Sequence, residues 1–353
     1  MFKSAGANSL DERACRPLLG KNLLRFGIEY LDDATAGIFQ DDLVLLGGPS
    51  GVGKTQLCCN IALANLFNEK KIHYIALEAS RFEIERRFKY SLVTERFFSD
   101  HGRPKISEKI TYPTWLLGKH EKVLAPYEDE ADKFFESAFR DLFILYKTKR
   151  FGVSELIEAV LSCSSRTDLI IIDHVHYFDL DDENENRAIR EIAKTVRTLA
   201  LEEQKPIVLV AHLRKRDKQN EDLVADLDEF HGSSDLYKIA TKVITFAPGR
   251  LTPEGTYETF FRVAKDRIDG GVTRFIGREF FSPKRGAYEQ GKYQIGWAGR
   301  PRKEGFSEID GNLLPPWAKG SYSPRIGGGA YPGFPRQPRV PRASGGAQSD
   351  EAF

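Results

Sequence analysis

Gly48-Pro49-Ser50-Gly51-Val52-Gly53-Lys54-Thr55 fits the pattern G-x-x-x-x-G-K-[ST] without a mismatch, and the rest of the 353-residue sequence can be read outward from it. In front of it, Leu43-Val44-Leu45-Leu46 is a short apolar run suited to a buried strand. Behind it, Gln56 to Phe67 sets Leu57, Ile61, Ala64 and Leu66 close to helical spacing. Strand, glycine loop and helix together aim backbone N–H groups and a helix N-terminus at phosphate oxygens. Gly48, Gly51 and Gly53 allow close approach and positive φ, and Pro49, Ser50, Val52 and Gln56 complete the cradle. Lys54 is expected to reach the β- and γ-phosphates, and the Thr55 hydroxyl to ligate Mg²⁺. The stretch therefore implies a nucleoside triphosphate site, with ATP and Mg²⁺ as the expected ligands.

Four later blocks supply the remaining chemistry. Ile72 to Leu77 reads as a second strand ending in Glu78, where a carboxylate can deprotonate the water that attacks the γ-phosphate. An ordinary strand-end carboxylate capping the next helix, from about Arg81 to Tyr90, is the alternative. Leu169-Ile170-Ile171-Ile172-Asp173 is a buried strand delivering a carboxylate to the Mg²⁺ shell. Pro206 to Val210 is another, running into Ala211-His212-Leu213 and placing His212 at the same sheet edge. Lys242 to Phe246 is a further core strand, and Glu258–Ala264 with Arg274–Phe281 forms a hairpin about Asp269-Gly270-Gly271. Alternating strands and helices with the functional side chains at one edge define an α/β, doubly wound, mainly parallel sheet of the RecA type.

Composition agrees with a soluble globular chain, at 41% hydrophobic and 29% charged residues. A net charge of +1 supplies no global field for nucleic acid or membrane, so any such preference rests on local patches. Cys15, Cys58, Cys59 and Cys163 have neither zinc-ligand nor disulfide spacing. With no signal peptide and no membrane-spanning apolar run, the expected location is cytoplasmic, with no membrane partner. Residues 1–25 read as an N-terminal arm, a disordered leader rather than a domain, and 26–295 as the ATPase domain with a helical insertion at 95–140. Residues 296–353, rich in Pro, Gly and Arg, read as a disordered tail whose basic and aromatic residues suit either single-strand binding or a solubilising role.

With these blocks in order, the chain resembles the helicase domain of the DnaB family, the replicative ring helicases that include the phage primase-helicases and Twinkle. The resemblance runs from about Phe26 to Tyr293 and rests on five motifs. They are the phosphate loop ending in Lys54 and Thr55, Ile75-Ala76-Leu77-Glu78, Ile170-Ile171-Ile172-Asp173, His212-Leu213-Arg214-Lys215 and Lys265-Asp266-Arg267-Ile268-Asp269-Gly270. It implies a catalytic role for Glu78, a γ-phosphate sensor at His212, and a Lys265/Arg267 pair that reaches a neighbouring subunit's phosphate. It further implies a ring, a hexamer, moving on single-stranded DNA, with replication or loader proteins as partners. For a lone Lys-x-Arg, a solvated strand edge is the competing reading.

Two features depart from the family. The loop from Asp179 to Glu185 is strongly acidic where relatives touch DNA, which argues against a DNA contact there. The loop Arg214-Lys215-Arg216-Asp217-Lys218 is densely basic and is the expected nucleic-acid contact. No amino-terminal collar or primase-contacting domain is recognised. The expectation is an ATP-dependent DNA helicase or translocase of the DnaB-like type. The alternative is a RecA-like accessory ATPase, stimulated by DNA or by a partner, without unwinding activity.

Overall fold

The computed structural model describes residues 4–101, 110–180, 184–213, 222–230, 235–291, 293–299 and 302–319. Among the described residues, ten strands form one sheet: β1 (Leu43–Gly48), β2 (Ile72–Ala76), β3 (Leu142–Tyr146), β4 (Leu169–Asp173), β5 (Ile207–His212), β6 (Lys242–Leu251), β7 (Tyr257–Asp266), β8 (Phe275–Ser282), β9 (Ala287–Tyr288) and β10 (Gln294–Trp297). The order is β10-β8-β7-β6-β1-β5-β4-β2-β3, with β9 paired to β8. From β6 to β3 every pairing is parallel, and from β6 through β7 and β8 to β10 it is antiparallel.

Ten helices among the described residues accompany the sheet: α1 (Ala5–Lys21), α2 (Glu29–Thr35), α3 (Lys54–Leu66), α4 (Glu83–His101), α5 (Tyr112–Leu116), α6 (Glu121–Ala138), α7 (Val153–Cys163), α8 (Glu185–Glu202), α9 (Asp235–Ile239) and α10 (Pro316–Lys319). Central strands β1 and β4 are buried along their whole length, which explains why they read as unbroken apolar runs. Strand alternation sends Val44 and Leu46 to the face covered by α3 and α4, and Leu43 and Leu45 to the face covered by α7 and α8.

Three expectations meet a different structure. Residues 5–21 form a helix rather than a disordered leader; a Glu12–Arg16 ion pair one turn apart supports it, and Pro17 is tolerated within it. Its side chains are exposed, so Leu10, Leu18 and Leu19 gain no core to bury in. The helix expected to end near Tyr90 runs on to His101 as α4, because α6 packs along it through Lys89–Asp132 and Arg96–Glu130 pairs. The tail expected to lose order at 296 continues as β10 and then folds back. Ile309, Leu314 and Ala318 are buried, and Trp317 sets its edge against Tyr30, so a few well-placed apolar groups suffice. Residues 320–353 lie outside the described residues.

Candidate nucleotide site

The phosphate loop leaves the C-terminal end of β1 and enters α3. Gly51 (φ 76°) and Gly53 (φ 98°) hold left-handed conformations that side chains resist, and Gly53 is the N-cap of α3. Gly48 is needed for space, since a Cβ there would lie 2.7 Å from the Val52 side chain. Lys54 is 7% exposed; its Nζ donates to the carbonyls of Gly48 (3.2 Å) and Pro49 (2.9 Å). It also lies 3.0 Å from His212 Nδ1, because the register of β1 and β5 sets Gly48 beside His212. Burial pulls the Lys54 pKa below its ordinary value, against the opposing pull of Asp173 and Glu78.

Asp173 ends β4 next to this lysine and is almost wholly buried. Tyr74 Oη donates to its Oδ2 at 2.8 Å, and the Thr55 hydroxyl bonds to the same carboxylate. Burial raises the Asp173 pKa despite both contacts. Its Oδ1 is buried with no hydrogen-bond partner among the described residues. A hard cation takes oxygen ligands of this kind, so Thr55 and Asp173 fit the Mg²⁺ expected from the sequence. Glu78, just beyond β2, brings a second carboxylate to the same edge. Its Oε1 accepts from Tyr177 Oη at 3.1 Å, and its Oε2 lies 2.9 Å from His174 Nε2. Burial and the nearby His212, His176 and Lys54 charges depress the His174 pKa to about 3, so this ring is neutral.

A cavity of about 470 Å³ opens beside the loop, lined by Gly51, Arg87, Tyr90, Tyr112, Tyr257 and Tyr288 among others. Gln56 does not point at the loop but donates from Nε2 to the Gly286 carbonyl (2.8 Å), tying α3 to the β8–β9 turn that closes the cavity. Aromatic walls next to a phosphate cradle can hold a nucleobase. Sequence reading missed this wall, His174, Tyr177 and Tyr74. A Tyr a few residues after a strand-end Asp is too common to announce a role. The cavity walls come from α4, α5 and the C-terminal hairpin, which no local spacing connects.

Lys265 and Arg267 lie elsewhere. Asp266 pairs with Lys242 at the start of β6, and Lys242 in turn sits beside Val44. The pair thus flanks the N-terminal end of β1, whereas the phosphate loop leaves its far end. The six residues of β1 set these ends about 16 Å apart at the rise of a strand. Lys265 Nζ donates to the carbonyls of Tyr237, Lys238 and Ala240 (2.8, 2.9 and 2.7 Å), capping α9, while Arg267 is exposed. Within one chain neither cation completes the site around Lys54. Arg214, Lys215, Arg216 and Lys218, expected to touch nucleic acid, lie outside the described residues.

A strand-fed glycine loop with its lysine, a neighbouring strand-end aspartate beside the loop threonine, and a glutamate on the next strand define a RecA-like P-loop ATPase core. The chain belongs to the AAA domain family, whose model matches residues 12–218. No curated protein matches it. Among solved structures it is similar to an ATPase domain solved by itself, at 15% identity and a TM-score of 0.67, over 82% of this chain and 99% of that one. It is also similar to a DnaB-like replicative helicase solved to describe its interactions with primase, at 15% identity and a TM-score of 0.61. That match covers 75% of this chain and 62% of the helicase, so the chain spans under two thirds of that protein. At such identity the likeness is one of fold, and it includes the mainly parallel sheet closed by antiparallel strands. No helix among the described residues is long and apolar enough to cross a membrane.

Proposed function

We propose that the chain is an ATP-dependent motor of the DnaB-like type, which assembles as a ring, hydrolyses ATP between protomers, and moves on single-stranded DNA to separate duplexes. The observation that carries this reading is the division of labour across the sheet. Lys54, Thr55, Glu78, Asp173 and His212 converge at one edge, while the exposed Arg267 stands at the other, out of reach of its own phosphate loop. An arginine so placed can serve only a neighbouring protomer's nucleotide, which makes hydrolysis conditional on assembly.

In this reading the loop N–H groups and Lys54 hold the β- and γ-phosphates, Glu78 takes a proton from the attacking water, and His212 sits against Lys54 where the γ-phosphate is sensed. Thr55 and Asp173 would hold Mg²⁺, which when bound bridges phosphate oxygens and neutralises their charge. Arg267 stabilises charge on the transferring phosphoryl group in trans. Lys265, already engaged with three carbonyls of its own chain, supports the turn that presents Arg267. Nucleic acid is assigned to Arg214, Lys215, Arg216 and Lys218, which follow His212 in sequence.

One observation favours a second reading, an accessory ATPase stimulated by a partner without unwinding. Asp179, which opens the acidic loop, is held by Lys147 (2.9 Å) and the Phe151 N–H (2.6 Å), and so presents a structured acidic corner rather than a phosphate-binding one. ATP hydrolysis measured with and without single-stranded DNA, alongside strand separation on a forked duplex, decides between them. Stimulation with unwinding supports the motor; neither effect leaves the accessory ATPase.

A further inference from the structure

Glu78 projects from the end of β2 with its side chain 47% exposed, and an exposed carboxylate of that length samples several rotamers. Here the short segment after Asp173 meets both of its oxygens. Tyr177 contacts one, but Tyr177 is itself substantially exposed. His174, which contacts the other, is 1% exposed and cannot follow a wandering partner. Its ring stands edge-on to His212 (centroids 4.2 Å, 81°) and to Tyr177 (4.7 Å, 87°). Its Nδ1 accepts the backbone N–H of His176 at 3.4 Å, so the ring proton belongs on Nε2, the side facing Glu78. The 2.9 Å approach of Nε2 to Oε2 is short yet misaligned for a full hydrogen bond. Catalytic contacts commonly have this form before substrate draws them straight.

We propose that His174 is a positioning residue for Glu78: from a fixed place between His212 and Tyr177 it donates Nε2–H to one carboxylate oxygen and sets the direction in which the carboxylate meets the attacking water. The proposal rests on the reading of Glu78 as the water-activating group. It also makes a continuous path of contacts from Lys54 through His212 and His174 to Glu78, so that the group gripping the phosphate and the group activating the water share one scaffold. A histidine that merely filled space beside Lys54 would need no proton on the Glu78 side and would affect binding as much as turnover.

The test uses the full chain in steady-state and single-turnover ATP hydrolysis, with nucleotide affinity from a fluorescent ATP analogue and thermal midpoints for every variant. His174→Ala is expected to lower kcat by about 10- to 100-fold, the scale of a displaced reacting group, with affinity within about twofold of wild type. His174→Gln, which keeps an N–H donor, should recover most of that loss. In a Glu78→Gln background, His174→Ala should change the residual rate by less than about twofold, because the carboxylate it orients is already absent. A wild-type kcat for His174→Ala with a slow Glu78→Gln overturns the positioning role alone. Wild-type hydrolysis by Glu78→Gln overturns the water-activating reading beneath it. If His174→Ala does not fold, His174→Gln and His174→Phe carry the comparison: equal losses in both overturn the proposal, and a loss confined to Phe supports it.

Discussion

Lys242→Met tests the strut that holds the Arg267 turn. Lys242 and Asp266 form an ion pair 2.9 Å apart with both side chains 1% exposed, and Asp42 lies 4.0 Å from the same ammonium. Removing one partner of a buried pair leaves an uncompensated charge and costs about 3–5 kcal/mol. Methionine keeps most of the volume of the lysine stem, so no large cavity adds to this. The Ile268 N–H still reaches Asp266 Oδ1 at 3.0 Å, and the Thr241 hydroxyl still serves Asp42 at 2.6 Å. These surviving bonds put the expected loss at the low end, about 3 kcal/mol, or roughly a hundredfold in the unfolding equilibrium. Replacing both partners, Lys242→Met with Asp266→Leu, removes the stranded charge and should return to within about 1 kcal/mol of wild type. Urea unfolding followed by circular dichroism measures both. A single variant within about 0.5 kcal/mol of wild type, or a double variant no better than the single, would refute the claim that charge burial governs this corner.

Mixing Arg267→Ala with Lys54→Ala protomers, each inactive alone, should restore a fraction of ATP hydrolysis, since some interfaces then pair an intact loop with an intact arginine; no recovery would remove the trans role. Burial lifts the Asp32 carboxyl to about 7 while the unfolded group sits near 3.8. The folded state therefore keeps a proton that the unfolded state loses, and stability should fall as pH rises from 4 through 7 and level off above. Asp32→Asn should flatten that slope, which thermal melts across the range would read out. Gly277→Ala would place a Cβ 2.2 Å from the Tyr30 ring, so a loss of about 3 kcal/mol or more in chemical unfolding is expected, and a Tyr30→Ala background should absorb much of it.

The order of strands and helices, the phosphate loop and the acids at Glu78 and Asp173 were all legible in the residues, because each is written locally. Buried parallel strands are continuous apolar runs, glycines mark the loop, and a carboxylate at the end of a strand lands at the ligand edge of such a sheet. Arm and tail were misread because Pro17, Gly20 and sparse apolar residues suggested disorder. Yet i,i+4 pairing supports α1, and three or four anchoring side chains fold back 302–319. His174 as a partner of Glu78, the aromatic cavity wall, and the separation of Arg267 from Lys54 arise only from tertiary structure. They depend on which strands lie side by side and on which end of a strand a residue occupies. Side chains distant in sequence meet because sheet register puts them there, and register is a property of the whole packed chain.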